Sequence, residues 1–224
     1  MKIMVIFSGG MDSATLLYHL RDKGHEVVPI GVDYGQRHRK ELGYARQFCE
    51  QMGLHYRLLH LGQVGSFLKG SSQSDAAVPV PHGHYAAENM KLTVVPNRNM
   101  LMLAAAGAVA LAEGCDALAY GAHAGDHTIY PDCRPTFIQI MREAFLNCDW
   151  KPLQLLVPFQ DWTKGMIARE GIRLGVPYEL TWTCYEGGEV PCGLCGSCTE
   201  RAEAFREAGQ ADPALRTVVA YPVI

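Results

Sequence analysis

Two short stretches of this chain carry residues whose types and spacing could do chemistry. Ser8-Gly9-Gly10-Met11-Asp12-Ser13 follows an apolar run, residues 2–7, and precedes leucines at helical spacing. Two glycines let the backbone approach a ligand closely. The free N–H groups of such a turn and of the helix start can bond phosphate oxygens, and the helix dipole favours their charge. Ser8 and Ser13 add hydroxyl donors. Asp12 opposes phosphate unless Mg²⁺ lies between them, or else it serves the helix N-terminus. The loop lacks the Gly-Lys-Ser/Thr ending of a Walker A motif, and it is not Gly-x-Gly-x-x-Gly. The plain alternative is a tight, well-capped turn.

Cys184, Cys192, Cys195 and Cys198 are four of eight cysteines, spaced C-x7-C-x2-C-x2-C. Thiolates of a C-x2-C pair converge across a tight turn, and four of them suit a closed, structural Zn²⁺ site. Gly193 and Gly196 let backbone N–H groups point at sulfur. An iron–sulfur cluster is the competitor. There the fourth cysteine lies downstream and precedes proline; here it lies upstream, and Pro191 precedes the triplet, which favours zinc. Cys49 and Cys115 read as core residues, and Cys148 has no clear place. Cys133, beside Arg134, could be a nucleophile only in an electropositive neighbourhood, and the non-catalytic reading is preferred. His123 and His127 could pair on a second metal, but no helix face is assured in their glycine-containing loop.

These residues need elements to hold them. Residues 2–7, 26–32 and 56–61 read as buried strands, with helices at 14–23 and 39–52 between them. Further helices are expected at 99–113, 136–147, 163–174 and 199–208, and strands at 117–120 and 153–157. That order predicts an α/β fold: an open, parallel, doubly wound sheet with helices on both faces. Residues 62–96 and 121–135 are irregular, and loops of that length are usually functional. Arg37-His38-Arg39-Lys40 reads as a solvated helix start.

The chain has 224 residues, 48% hydrophobic and 19% charged, with net charge −3. This composition excludes intrinsic disorder and argues against a surface-wide nucleic-acid footprint. The run 2–7 is too short for a secretory h-region, and 100–112 is short of the ~20 residues of a membrane span. The expectation is a cytoplasmic protein with reduced thiols, no membrane contact and no direct nucleic-acid partner.

The glycine loop resembles that of the PP-loop ATP pyrophosphatases (adenine nucleotide α-hydrolase-like). With the cysteine set, it is similar to the QueC family. Other segments agree: Asp33-Tyr34-Gly35-Gln36-Arg37-His38, Val95-Pro96-Asn97-Arg98-Asn99, Asp126, and Tyr130-Pro131-Asp132-Cys133-Arg134. The resemblance runs from Ile6 to about Pro213. It departs at Asn97, where the family more often has glycine, and across residues 121–128.

The resemblance implies a PP-loop domain over 1–180 with a small zinc-binding segment over 181–224. It implies ATP and Mg²⁺ at Ser8, Gly9, Gly10, Asp12 and Ser13, with ATP cleaved to AMP and pyrophosphate. Lys164 fits the remote lysine that such enzymes direct at the phosphates. The implied substrate is 7-carboxy-7-deazaguanine, converted with ammonia to a nitrile through adenylated intermediates. Arg98 or Arg134 would hold its carboxylate, and Tyr130, Asp126 and Asp132 would face its guanine-like edge. The implied catalytic set is Asp12, Lys164 and Arg98, in a homodimer. The alternatives are a QueC-like enzyme adenylating another carboxylate, such as a protein terminus, and a PP-loop tRNA-thiolation enzyme.

Overall fold

The first strand sets the layering. In β1 (Lys2–Ile6) successive side chains point to opposite faces, as in any strand: Ile3 and Val5 enter one core and Met4 the other. Our computed structural model describes residues 1–214, so residues 215–224 of the expected C-terminal segment lie outside the described residues. Among the described residues, five parallel strands form one sheet in the order β3-β2-β1-β4-β5. The others are β2 (Glu26–Asp33), β3 (Arg57–His60), β4 (Ala117–Ala119) and β5 (Gln154–Leu156).

Helices cover both faces. α1 (Met11–Asp22), α2 (Lys40–Gln51), α6 (Lys164–Leu174) and α7 (Gly196–Glu207) pack on the face that receives Ile3 and Val5. α4 (Arg98–Ala112) and α5 (Pro135–Leu146) pack on the other, with Leu103, Ala106, Ile138 and Phe145 against Met4 and Leu118. A single turn, α3 (Gly62–Gly65), follows β3. Residues 88–112, a 3₁₀ turn running into α4, are long and apolar enough to cross a membrane by length and composition. The inner face of α4 is packed on β1 and β4.

The sheet order reverses between β1 and β4. In open α/β sheets the crevice at that point, outside the carboxyl ends of the strands, binds ligands. The loops after β1 and β4 both emerge there.

Two expected helix starts move by three residues. α1 starts at Met11 rather than residue 14, because Gly10 takes the N-cap conformation (φ −81°, ψ 166°) and the Met11 side chain is buried. Asp12 and Ser13 therefore sit in the first turn of the helix. α7 starts at Gly196, not 199, so Cys198 belongs to the helix. The 62–96 stretch is not wholly irregular: it holds α3, a 3₁₀ turn Glu88–Thr93, and a bridge from His82 to Cys195.

The segment around the cysteines is tied to the main core. Ala204 and Phe205 of α7 are buried among residues of α1 and α6. Arg201 is buried and makes a two-pronged pair with Asp212, at 2.6 and 2.9 Å. It also donates to Thr181 Oγ1, Thr183 Oγ1 and the Tyr178 carbonyl. Arg201→Met leaves Asp212 buried and unpaired, so it should cost about 3–5 kcal/mol of stability. Urea unfolding measures this, and a loss below about 1 kcal/mol would contradict the clamp.

Candidate active site

At the switch point the loop after β1 is held open to one side. Gly9 has φ +89°, and a Cβ there would lie 2.6 Å from the Glu41 carbonyl and 2.9 Å from the Ala45 nitrogen. Only glycine fits between α2 and the loop. The Gly9 carbonyl accepts from the Trp182 N–H at 2.9 Å. Ser13 Oγ donates to the Gly10 carbonyl at 3.1 Å and lies 3.3 Å from Ser8 Oγ. No side chain among the described residues caps α1. Its first N–H groups have no intrahelical partner and face the crevice as anion donors.

Ser8, Gly10, Asp12 and Ser13 line one cavity with Lys164, Arg98, Asp126 and Tyr130. Lys164 Nζ lies 3.2 Å from Asp12 Oδ2 and 2.6 Å from Glu200 Oε2. Burial works against its charge, but Asp12, Glu200 and Asp126 outweigh it and hold the ammonium well above the usual lysine range. Partial burial raises the pKa of Asp126; His123 and Lys164 reverse this and leave it below the usual carboxylate range. Asp126 accepts from the Tyr85 hydroxyl at 2.7 Å and the His123 N–H at 3.3 Å. Burial pushes Glu200 up despite Lys164.

Arg98 opens α4. The helix begins after Asn97, which has φ +55° and is the sole non-glycine residue in that region among the described residues. Asparagine tolerates the left-handed conformation better than most side chains. Asn97 therefore meets the same backbone demand as glycine, and this departure leaves the position of Arg98 intact. The Arg98 guanidinium has no ion pair within 4 Å among the described residues; its Nε donates to Asn99 Oδ1 at 3.4 Å. It lies 6.0 Å from the Tyr130 ring centroid. The Tyr130 hydroxyl pairs with Thr93 Oγ1 at 2.6 Å. An unpaired, half-buried guanidinium facing a cavity is suited to a carboxylate.

Other expected residues fall elsewhere. Arg134 is exposed, donates to the His127 carbonyl at 3.0 Å and is absent from the cavity wall. Asp132 accepts from the Asn99 N–H at 2.9 Å and so caps α4 rather than lining the cavity. Cys133 lines it, with Sγ accepting from Asn99 Nδ2 at 3.1 Å. Burial, with Asp126 and Asp132 adding to it, raises the thiol well above the ordinary range and disfavours a nucleophilic thiolate. His123 faces the phosphate loop and Asp126. Its Nδ1 accepts from the Gly125 N–H at 3.1 Å, which leaves Nε2 to face Asp12 at 3.9 Å and Asp126 at 3.7 Å.

The four cysteines converge: their sulfur atoms all lie within 4.8 Å of one another. A ZnS₄ tetrahedron with 2.3 Å bonds has S···S edges of about 3.8 Å, so the set fits one Zn²⁺. Gly193 is left-handed (φ +71°), and the turn directs the Leu194 and Cys195 N–H groups at Cys192 Sγ, at 3.4 and 3.2 Å. The Cys192 N–H donates to Cys184 Sγ at 3.3 Å. Gly196 answers a different need, because a Cβ there would meet Met90 Sδ at 2.7 Å. The cysteine segment also builds a wall of the cavity, since Trp182, Tyr185, Ser197 and Glu200 line it.

Reasoning from residue types missed Glu200, Tyr85, Tyr34 and Tyr185. Glu200 follows the last cysteine by two residues and had only helix-surface spacing to mark it. Tyr85 sits in the irregular stretch.

A family model described as "Queuosine biosynthesis protein QueC" matches residues 2–209. A protein of Methanoregula boonei named 7-cyano-7-deazaguanine synthase is 53% identical over 213 residues, covering 95% of this chain and 98% of its own. One of the same name from Hahella chejuensis is 49% identical, covering 95% of this chain and 91% of its own. Among solved structures, a predicted tRNA methyltransferase subunit from Methanocaldococcus jannaschii aligns with TM-score 0.48 and 16% identity, over 95% of this chain and 90% of that one.

Proposed function

The chain belongs to the QueC family, and from that premise we propose that it converts 7-carboxy-7-deazaguanine, ammonia and ATP into 7-cyano-7-deazaguanine, with AMP and pyrophosphate released. One observation carries the reading: a single cavity joins an uncapped helix N-terminus to an unpaired arginine. A phosphate chain at one and a carboxylate at the other meet in between, which is what carboxylate adenylation requires.

Ser8, Gly9, Gly10 and Ser13 take the β- and γ-phosphates. Lys164 offsets the charge that develops as pyrophosphate leaves. Asp12 Oδ1 is buried without a partner among the described residues, and Asp12 would hold Mg²⁺, which neutralises phosphate charge when bound. Val32, Leu42 and Met102 make an apolar seat for adenine on the β2 side of the cavity. Arg98 grips the carboxylate, and the rings of Tyr130 and Tyr185 flank a flat heterocycle. Asp126 lies within reach of an amino edge. A carboxylate oxygen leaves poorly and AMP leaves well, so each of two ATP molecules removes one oxygen: the first step gives an amide, the second a nitrile. Zn²⁺ on Cys184, Cys192, Cys195 and Cys198 is structural.

Incubation with ATP, Mg²⁺, ammonia and 7-carboxy-7-deazaguanine should yield the nitrile by mass spectrometry, with AMP and pyrophosphate. ADP and phosphate would contradict the phosphate geometry. Arg98→Lys keeps the charge but loses the fork. It should raise KM for the carboxylate about 100-fold and leave KM for ATP within threefold; an unchanged carboxylate KM would remove Arg98 from this role.

We place the enzyme in the cytoplasm as a homodimer without a nucleic-acid partner. The exposed Met100 and Ile140 on α4 and α5 support association, and sedimentation should give twice the 24.6 kDa chain mass.

A further inference from the structure

We infer that His38, oriented by Glu41, is the base that takes protons from the attacking nitrogen; the assignment rests on the function proposed above. His38 is buried and lines the same cavity. Its Nε2 lies 3.4 Å from Glu41 Oε1. Gln36 Nε2 donates to that same oxygen at 3.2 Å and steadies the carboxylate. With the proton on Nε2 toward Glu41, Nδ1 presents a lone pair. Nδ1 is buried and has no hydrogen-bond partner among the described residues. His123 differs, because its Nδ1 is occupied by the Gly125 N–H.

The position of His38 between the two anchors matters more than its burial. Just after it, the Glu41 carbonyl touches the phosphate loop at Gly9, the contact that excludes a Cβ there. On the other side the His38 ring packs 5.3 Å from the Tyr185 ring. Tyr185 lies in the field of Arg98. His38 thus lines the cavity on the segment that leads into the phosphate-loop contact, with its ring against Tyr185 on the side of the carboxylate anchor.

Both halves of the reaction need a proton acceptor at the same nitrogen. In the first, ammonia forms the C–N bond while the carbonyl π pair moves to oxygen. The cationic nitrogen gives a proton to Nδ1, the pair returns, and the C–O bond breaks with AMP taking its electrons. In the second, the amide oxygen displaces pyrophosphate from ATP. The two protons on nitrogen then leave in turn through Nδ1, which passes each to solvent. The second departs as the C–O bond to AMP breaks and the nitrile forms.

The test separates adenylation from amination. In His38→Gln, carboxylate-dependent ATP–pyrophosphate exchange, measured without ammonia, should stay within about threefold of wild type. Nitrile formation should fall at least about 100-fold, the usual worth of a positioned base. Hydroxylamine, a less basic nucleophile, should restore acyl transfer to within about tenfold of the wild-type rate with that nucleophile. Glu41→Gln should show the same split at about tenfold, and it decides the matter if His38→Gln does not fold. Equal loss of exchange and nitrile formation would overturn the assignment, as would retained nitrile formation. A wild-type protein with no exchange would instead overturn the functional reading, and the assignment with it.

Discussion

Lys164→Met should lower turnover by at least about 10³-fold, the range seen when a single cationic group that stabilises phosphoryl-transfer charge is removed. The expectation follows from where the lysine sits. Its Nζ is 3.2 Å from Asp12 in the phosphate loop and 2.6 Å from Glu200, and Asp126 adds a third carboxylate to its field. Without the cation three carboxylates face the site where ATP must bring its own negative charge, so ATP binding and the adenylation step both weaken. The same change should destabilise the fold by about 3–5 kcal/mol, because Glu200 is left buried without its partner. Adding Glu200→Gln removes the orphaned charge. The double variant should recover most of that stability and none of the turnover. Lys164→Met with turnover within tenfold of wild type would remove the lysine from the chemistry.

Removing the metal should have the second large effect. Structural Zn²⁺ in small sites contributes apparent binding energies of about 10–16 kcal/mol to folding. A Zn²⁺ on the four cysteines would put that energy into a wall of the cavity. Cys195 bridges to His82, the Gly83 N–H donates to the Leu194 carbonyl at 3.0 Å, and Thr199 Oγ1 donates to the Gly83 carbonyl at 2.9 Å. Through these contacts the cysteine turn also fixes Tyr85, which donates to Asp126. Cys195→Ser should therefore bind less than a tenth of a zinc per chain. It should lose hydrogen-exchange protection in α7 and across 82–85, and lose turnover at least about 100-fold. Full protection and wild-type turnover without metal would contradict a structural role. Stoichiometric iron in coloured wild-type protein would replace zinc by a cluster.

The sequence was most legible where burial imposes a simple pattern. Val5 and Ile6 in a β-branched run, Gly24 and Gly53 after helices, and the cysteine spacing each reflect one local constraint. All five strands were expected, each within two residues of its observed ends. The order of the strands was not, since pairing β1 with β4 depends on contacts more than a hundred residues apart. The site shows the same limit. The loop from Ser8 to Ser13 and Arg98 are read from local motifs. Glu200, His38 and Tyr85 come together from three segments with no shared spacing. Arg134 and Asp132 looked like ligand groups by residue type, yet Arg134 turns to a backbone carbonyl and Asp132 to a helix cap. Asn97 departs from the family's glycine, but its left-handed backbone identifies it as a stand-in for glycine.

The proposed reaction removes both oxygens of a carboxylate by adenylation between the α1 N-terminus and Arg98. The most direct measurement uses 7-carboxy-7-deazaguanine labelled with ¹⁸O in its carboxylate, run to completion with ATP and ammonia. The two AMP molecules formed per nitrile should each carry one ¹⁸O, with none in pyrophosphate or water. Label in water, or in pyrophosphate or phosphate, would rule out double adenylation.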